Sequence, residues 1–203
     1  MIKIINYGLG NIRAFLNIYK SLSIDCEVCS SKESLSDSKK LILPGVGSFD
    51  WAMQKLNASG MRDKLDELVL SRNIPVLGVC VGMQIMAKSS EEGSEEGLNW
   101  IEGGNFHLSS IVKQNIKLPH MGWNDIDIKD SILFKNIENP KFYFLHSYFI
   151  NPENIKNIDA YVNYGAKFPC TISKNNIFGV QFHPEKSHNY GINILKNFAN
   201  IKS

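Results

Sequence analysis

Residues 74–84 read Ile-Pro-Val-Leu-Gly-Val-Cys-Val-Gly-Met-Gln, which sets Cys80 between two glycines at the end of an apolar run. The apolar run is typical of a buried strand. Gly78-x-Cys80-x-Gly82 is the cysteine form of the nucleophile elbow, a tight strand-to-helix turn that exposes its central side chain at the edge of a sheet. Glycines are needed on both sides because the turn leaves no room for a Cβ. We therefore predict a nucleophilic thiol at this turn.

The rest of the first half alternates short apolar runs with amphipathic stretches, and the second half changes to β-rich segments with short turns. Alternating strands and helices predict βαβ units and a parallel sheet covered on both faces. We expect one α/β domain over residues 1–203, built as a three-layer sandwich with a largely parallel central sheet and a β-rich C-terminal half. The clearest strands are predicted at residues 2–7, 26–29, 40–43, 75–79 and 141–150, and the clearest helices at 11–21, 51–56, 61–71 and 190–201.

The composition sets limits on partners and location. The chain has 203 residues, is 43% hydrophobic and carries a net charge of +2 from 22 basic and 20 acidic side chains. This balance is ordinary for a globular protein and gives no field that would attract nucleic acid. No apolar run approaches the roughly 18 to 20 residues that span a bilayer. Four cysteines in a chain of this length do not make a disulfide framework. We expect a cytoplasmic protein without nucleic-acid or membrane partners.

A histidine and a carboxylate that fit this cysteine lie about a hundred residues downstream, in His183-Pro184-Glu185. On extended backbone, side chains at i and i+2 point to the same side, so Glu185 can orient an imidazole that faces the thiol. A thiol, a base and an orienting carboxylate can together attack an amide or ester carbonyl. A lone cysteine is more often an inert core residue. The elbow and the His-x-Glu pair favour catalytic roles for Cys80, His183 and Glu185.

Acyl transfer also needs hydrogen-bond donors for the developing oxyanion. The backbone N–H of Val81, which follows the nucleophile, is one candidate. A second donor can come from the glycine-rich stretch at residues 44–47, Pro-Gly-Val-Gly, where the backbone can approach a ligand closely. An ordinary glycine turn after a strand is the alternative interpretation of this stretch.

The chain resembles the class I (triad) glutamine amidotransferases, and nearly its whole length is similar to the glutaminase subunits of imidazole glycerol phosphate synthase. The elbow and the His-Pro-Glu motif are shared across that superfamily, whereas Pro-His-Met-Gly-Trp-Asn and Pro-Gly-Val-Gly are more particular to the subunit. The segments that carry the resemblance are residues 6–13, 43–49, 78–84, 118–124, 143–148 and 178–187.

The resemblance implies a class I glutamine amidotransferase fold of the flavodoxin-like type and roles for further residues. It implies an oxyanion hole from the backbone amides of Gly47 and Val81, the first after a peptide flip. It also implies that glutamine is held by Gln84, Glu92 and the backbone of Ser147 and Tyr148. Glu92 belongs to an acidic run at residues 91–96, whose ordinary interpretation is a solvated loop.

The resemblance further implies hydrolysis of glutamine to glutamate and ammonia, and a partner that uses the ammonia. That partner would be a (βα)8-barrel cyclase subunit, which forms a heterodimer with the glutaminase and makes imidazole glycerol phosphate and the aminoimidazole carboxamide ribonucleotide in histidine biosynthesis. Neither a cofactor nor a metal is expected. The implied interface positions are Asn11, Met121, Trp123, Tyr143 and Lys186. Their ordinary interpretations are a helix cap for Asn11, core packing for Met121, Trp123 and Tyr143, and a solvated Lys186.

Three alternatives remain open on the sequence alone. A paralogous glutaminase subunit could feed ammonia to a different synthase, such as a sugar amidation enzyme of surface polysaccharide biosynthesis. Departures from the usual family residues at Asn6, Val81 and Gly103–Gly104 motivate this alternative. The chain could also be another elbow-cysteine hydrolase that acts without a partner, or a catalytically silent binding subunit.

Overall fold

The computed structural model describes residues 1–113 and 115–202 as an α/β fold. The strands in this part of the chain are β1 (Ile2–Ile5), β2 (Cys26–Cys29), β3 (Lys40–Gly45), β4 (Val76–Cys80), β5 (Ser89–Ser90), β6 (Gly103–His107), β7 (His120–Ile128), β8 (Lys141–His146), β9 (Tyr148–Pro152), β10 (Ile158–Asn163), β11 (Lys167–Lys174) and β12 (Ile177–Val180). The α-helices are α1 (Ile12–Ser21), α2 (Phe49–Ala58), α3 (Arg62–Asp66), α4 (Val81–Gln84) and α5 (His188–Ala199).

Two sheets organise these elements. The large sheet has nine strands in the order β2-β1-β3-β4-β12-β11-β10-β7-β8, and the small sheet has the order β5-β6-β9. The first five strands of the large sheet are parallel, while β11, β10, β7 and β8 add to it as an antiparallel ladder. The predicted α/β fold with a β-rich second half is confirmed, and its central sheet is mixed rather than parallel throughout.

The order of the parallel strands explains the layers and the position of the site. From β1 the chain moves to one side to form β2, and then returns past β1 to form β3 and β4. Because such crossovers are right-handed, this reversal places α1 on one face of the sheet and α2 on the other. The hydroxyl of Tyr19 in α1 donates to the carbonyl of Leu195 in α5, which joins these two helices. Ligands of open α/β sheets bind at the carboxyl ends of strands near such a reversal.

Two predicted strands differ from the observed ones in ways that shape the site. The strand predicted at residues 141–150 is broken at Ser147 into β8 and β9, which belong to different sheets. The strand predicted to end at Leu43 continues through Pro44 to Gly45. A proline usually marks the end of a central strand because it has no N–H. Here the strand continues past the proline, and the Pro44 carbonyl accepts a hydrogen bond of 2.8 Å from the hydroxyl of Tyr7.

The elbow after β4 is as tight as its glycines predict. Cys80 has a φ of 56° and ψ of −116°, a positive φ that a residue with a side chain rarely adopts. A Cβ on Gly82 would lie 1.9 Å from the carbonyl oxygen of Leu43, and one on Gly45 would lie 2.3 Å from the amide nitrogen of Gly82. The end of β3 and the first turn of α4 are therefore in direct backbone contact.

No helix in residues 1–113 and 115–202 is both long enough and apolar enough to cross a lipid bilayer.

Replacing Gly82 by alanine tests the backbone contact between β3 and α4. Because the new Cβ would meet backbone atoms rather than a movable side chain, Gly82→Ala should lower the free energy of unfolding by about 3 kcal/mol or more. Urea denaturation followed by circular dichroism gives this value. Gly60→Ala is the matched control, since Gly60 also has a positive φ, of 69°, but open space around it. The control should cost only about 1 kcal/mol. Equal losses would contradict a steric constraint at Gly82.

Candidate active site

A cavity of about 320 Å³ lies at the carboxyl ends of β3 and β4. It gathers the predicted nucleophile and base, both predicted oxyanion donors and every predicted glutamine-binding residue. Glu185 lies behind His183, outside the lining. The predicted residues that line the cavity are Gly47, Cys80, Val81, Gln84, Glu92, Ser147, Tyr148, His183 and Lys186.

The geometry of the histidine and the carboxylate agrees with an oriented base. His183 follows β12, and its Nδ1 lies 3.0 Å from Oε1 of Glu185. The two side chains are only 4% and 2% exposed. Because Glu185 engages Nδ1, Nε2 is the ring nitrogen left for the thiol of Cys80. The predicted pairing is observed, but the predicted cause, an extended backbone, is wrong. Residues 184–186 form a 3-10 turn that brings Glu185 back beside His183.

The charges around His183 favour its protonated form. Burial alone would lower the pKa of the imidazole. Hydrogen bonding to Cys80 and to Glu185, together with the negative charge of these groups, outweighs burial and raises the pKa of His183 to about 10. An imidazolium facing a thiolate is the arrangement that activates a cysteine nucleophile. The imidazolium also holds the proton that a leaving amine needs.

Ser187, which the sequence interpretation did not single out as a site residue, fixes the position of His183. Its buried hydroxyl donates to the carbonyl of His183 at 2.7 Å and accepts from the N–H of Tyr143 at 3.0 Å. The N–H of His183 in turn donates to the carbonyl of Tyr143 at 2.9 Å. These three bonds tie the base to β8. A serine between Lys186 and His188 carries no local pattern that would predict burial or such a role.

The two predicted oxyanion donors lie on adjoining segments. Val81 is the first residue of α4, so its N–H has no acceptor within the helix. Gly47 follows β3 with a φ of 88°, in the region that favours glycine. The Tyr7 hydroxyl holds the start of residues 44–49 through the Pro44 carbonyl, and Glu92 holds their end by accepting from the N–H of Phe49 at 2.7 Å. Between these anchors the backbone at Gly47 lines the cavity.

Gln84 lines the cavity and also makes buried hydrogen bonds that support the cavity wall. Its side chain is buried, and Nε2 donates to the carbonyl of Tyr148 at 2.9 Å and to Oε1 of Gln181 at 3.0 Å. Both amide hydrogens are used inside the protein, so a ligand would meet Gln84 through its Oε1. The main effect of Gln84 is to hold the backbone at Tyr148 against α4.

The acidic run at residues 91–96 is a loop with Glu91 and Glu96 exposed, in line with its ordinary interpretation, and it is also docked on helix α2. Asp50 accepts hydrogen bonds of 3.0 Å from the N–H groups of Ser94 and Glu95. Glu92, half-buried, caps the same helix at Phe49. A Cβ on Gly93 would lie 2.0 Å from Asp50, which shows how closely the loop and helix approach. This docking directs Glu92 toward the cavity.

Of the five residues predicted at the partner interface, Lys186 lines the cavity, and Met121 lies beside it as the cross-strand partner of the lining residue Leu145. Met121 and Trp123 are 62% and 40% exposed, so the core-packing interpretation is wrong for both. The Trp123 ring stacks on His188 with centroids 5.1 Å apart, and Lys186 Nζ lies 5.7 Å from the centre of the half-buried Tyr143 ring. Asn11 is exposed and lies at the N-cap position of α1, where its carbonyl accepts from the N–H of Ala14 at 3.1 Å. Its side chain makes no capping hydrogen bond to the helix.

The four cysteines and the other side chains that could bind a metal show neither disulfides nor a metal site in the described part of the chain. Cys26, Cys29, Cys80 and Cys170 are all free thiols. Cys29, at the end of β2, donates to the carbonyl of Ser34 at 3.2 Å. In the part of the chain that the structure describes, no three His, Cys, Asp or Glu side chains are gathered as metal ligands would be.

A buried cysteine at a strained elbow and a buried histidine oriented by Glu185 line one cavity, as in a triad amidotransferase site, and comparison with known proteins agrees. The family model for class-I glutamine amidotransferases matches residues 3–201, so the chain belongs to that family. A crystal structure described as a glutamine amidotransferase superposes with a TM-score of 0.77 at 17% identity, and covers 98% of this chain and 99% of that one. At this identity the likeness supports the fold alone.

Curated relatives narrow the assignment within the family. The chain is 48% identical to the imidazole glycerol phosphate synthase subunit HisH of Leptospira borgpetersenii, over 99% of this chain and all of that protein. It is 50% identical to the HisH subunit of Bdellovibrio bacteriovorus, again over 99% of this chain and all of the relative. The chain is therefore a member of the HisH family, whose proteins are named as subunits of a larger enzyme.

Replacing Glu185 by glutamine tests the cause of the raised pKa. Glu185→Gln keeps a hydrogen-bond acceptor but removes the charge, so the pKa of His183 should fall from about 10 by about 1 to 3 pH units. A histidine NMR titration of the purified chain measures it. Glu33→Gln removes a carboxylate from an exposed turn near β2 and should leave His183 unchanged. An unchanged titration of His183 in Glu185→Gln would show that Glu185 does not set its charge.

Proposed function

We propose that this chain is the glutaminase subunit of an imidazole glycerol phosphate synthase and that it acts as one domain. It would hydrolyse glutamine to glutamate and ammonia with Cys80 as the nucleophile. The observation that carries this proposal is the arrangement at the elbow: a strained cysteine faces a buried histidine whose far nitrogen is held by Glu185. The HisH relatives, aligned over the full chain, supply the biological context.

In the proposed reaction, the Cys80 thiolate attacks the side-chain amide carbon of glutamine and forms a tetrahedral oxyanion. The protonated His183 gives its proton to the amine as the carbon–nitrogen bond breaks, which releases ammonia and leaves a glutamyl thioester. Water then attacks the thioester while His183 takes its proton. Glutamate leaves, and the thiolate and imidazolium are restored. Glu185 keeps the imidazole oriented in both steps.

The cavity walls suggest how glutamine is held for this reaction. The N–H groups of Val81 and Gly47 would donate to the oxyanion, the second after rotation of its peptide. The Glu92 carboxylate suits the α-ammonium group of the substrate. The backbone of Ser147 and Tyr148, held from behind by Gln84, would bind the amino-acid end of glutamine. The nucleophile and the groups proposed to hold the substrate thus line the same cavity.

Ammonia needs a second protein to receive it. In bulk water it becomes protonated and loses its nucleophilicity, so a sealed route to the acceptor is required. We propose that a (βα)8-barrel cyclase subunit covers the mouth of the cavity and forms a heterodimer with this chain. The exposed apolar side chains of Met121 and Trp123 beside the mouth support an interface there. The identities of 48% and 50% to HisH subunits favour histidine biosynthesis over a paralogous sugar-amidation pathway.

Glutamate release from glutamine tests the function directly. The chain alone should hydrolyse glutamine slowly, and addition of a cognate cyclase subunit with its ribonucleotide ligand should stimulate it strongly. Cys80→Ala should abolish glutamine-dependent synthesis by the complex while ammonia-dependent synthesis continues in the partner. Rapid turnover by the chain alone would favour a hydrolase that needs no partner. Loss of both syntheses in Cys80→Ala would mean that Cys80 is needed for structure.

Replacing Trp123 by alanine tests the interface. Because a large exposed aromatic side chain is a typical binding hot spot, Trp123→Ala should raise the dissociation constant of the complex by at least about tenfold. Isothermal titration calorimetry with the cyclase subunit measures it. Leu70→Ala is the matched control: Leu70 is 52% exposed but precedes β4, at the end of the sheet away from Cys80. Similar losses in both variants would place the partner elsewhere.

A further inference from the structure

Two buried histidines lie side by side beneath the cavity. His120 begins β7 and His146 ends β8, and the two residues are direct partners in the antiparallel ladder. Their rings are joined by a contact of 2.9 Å between Nδ1 of His120 and Nε2 of His146. His120 is completely buried and His146 is 6% exposed. His146 lines the cavity, but the proposed reaction gives neither ring a role.

The pair is the middle of a longer chain of hydrogen bonds. At one end, Nδ1 of His146 lies 2.8 Å from the carbonyl oxygen of Tyr148, the oxygen that also accepts from Gln84. At the other end, Nε2 of His120 lies 2.9 Å from the side-chain amide atom of Asn124 that the structure assigns as Oδ1. The chain therefore runs from Asn124 on β7 to the backbone that forms one wall of the cavity.

Counting protons restricts how this chain can be arranged. A carbonyl oxygen can only accept, so Nδ1 of His146 must carry hydrogen. If His146 is neutral, its Nε2 is an acceptor and Nδ1 of His120 must donate to it. If His120 is also neutral, its Nε2 is an acceptor and needs a donor from Asn124. The amide of Asn124 supplies one when its NH₂ group faces the ring, and geometry alone does not distinguish the two amide orientations.

The surroundings favour the neutral arrangement over an imidazolium. His120 is stacked between Phe144 and Tyr164, with ring centroids 4.6 and 4.2 Å away. Burial is the largest influence on the pKa of His120 and lowers it. Asn124 opposes this only while its Oδ1 faces the ring, and that opposition is absent when its NH₂ group donates to Nε2. Burial, the nearby His120 and, to a smaller extent, His183 outweigh the hydrogen bond to the Tyr148 carbonyl and lower the pKa of His146 to about 3. The ionisable groups that act on the pair are therefore histidines. A positive charge on one of them disfavours a positive charge on its neighbour.

We propose that His120 and His146 are positioning residues that form a neutral pair, in which every proton points from Asn124 toward the carbonyl of Tyr148. The pair fixes the backbone that lines the cavity and keeps a second positive charge away from His183. Its importance for binding glutamine rests on the proposed function, whereas its proton arrangement does not. β7 also carries the exposed Met121 and Trp123. The series of hydrogen bonds from Asn124 to Tyr148 therefore connects this exposed face of β7 to the cavity wall.

The variant Asn124→Asp tests the proposal because an ionised carboxylate has the same shape but can only accept. The chain of bonds then requires a third proton, so the pair should become positively charged near neutral pH. Histidine ¹⁵N NMR spectra of the isolated protein distinguish the two states. In the wild type, both rings should be neutral Nδ1–H tautomers at pH 7. Asn17→Asp, on the exposed side of α1, adds the same charge elsewhere and should leave both rings neutral.

A kinetic measurement on the complex with the cyclase subunit completes the test. Asn124→Asp should raise the KM for glutamine by about tenfold, as expected for disturbing one hydrogen-bonded wall. Asn17→Asp should leave KM unchanged. An imidazolium or an Nε2–H tautomer in the wild-type pair, or a neutral pair in Asn124→Asp, would overturn the proposal. If the proton arrangement is found but no glutaminase activity exists, the proposed function fails and the neutral pair stands.

Discussion

The backbone contact between the end of β3 and the first turn of α4 is the constraint on which the site depends. A single Cβ on Gly82 would come within 1.9 Å of the Leu43 carbonyl oxygen. Because these two segments touch, the stretch that ends at Gly47 lies beside Cys80, and a nucleophile and an oxyanion donor can share one cavity. The positive φ of Cys80 costs about 1 to 2 kcal/mol. The buried strands on either side of β4 hold the turn in this conformation.

A second centre forms where four elements meet at the carbonyl of Tyr148. This oxygen accepts from Gln84 of α4 and contacts His146 of β8, which leads through His120 to β7. Tyr148 itself begins β9 of the small sheet. Hydrogen bonds of this kind are stronger in a buried, low-dielectric setting, and an unpaired member would be costly. The polar network therefore fixes the position of the backbone at Tyr148, which forms one wall of the cavity, more closely than apolar packing alone would.

Sequence patterns predicted the parts of the fold and site that depend on local rules. The glycines around Cys80 and the His-x-Glu spacing located the reactive groups, and the alternation of strands and helices located the parallel half of the sheet. What they could not predict depends on long-range contacts. The break at Ser147 separates two strands that periodicity alone joins. The roles of Ser187 and Tyr7 come from hydrogen bonds to Tyr143 and Pro44, which are distant in sequence.

The break at Ser147 also divides the cavity between two structural units. Cys80 ends β4 and His183 follows β12 of the nine-stranded sheet, whereas Tyr148 begins β9 and Glu92 follows β5 of the small sheet. Cys80 and His183 are thus anchored to the large hydrophobic core, whereas Tyr148 and Glu92 belong to the small-sheet unit, and Gln84 of α4 joins the two units through the Tyr148 carbonyl. Substitutions in the small sheet that leave the bond between Gln84 and the Tyr148 carbonyl intact can reshape the cavity wall at Tyr148 and Glu92 without disturbing the elbow. The fold in this way separates the evolution of substrate preference from the evolution of reactivity.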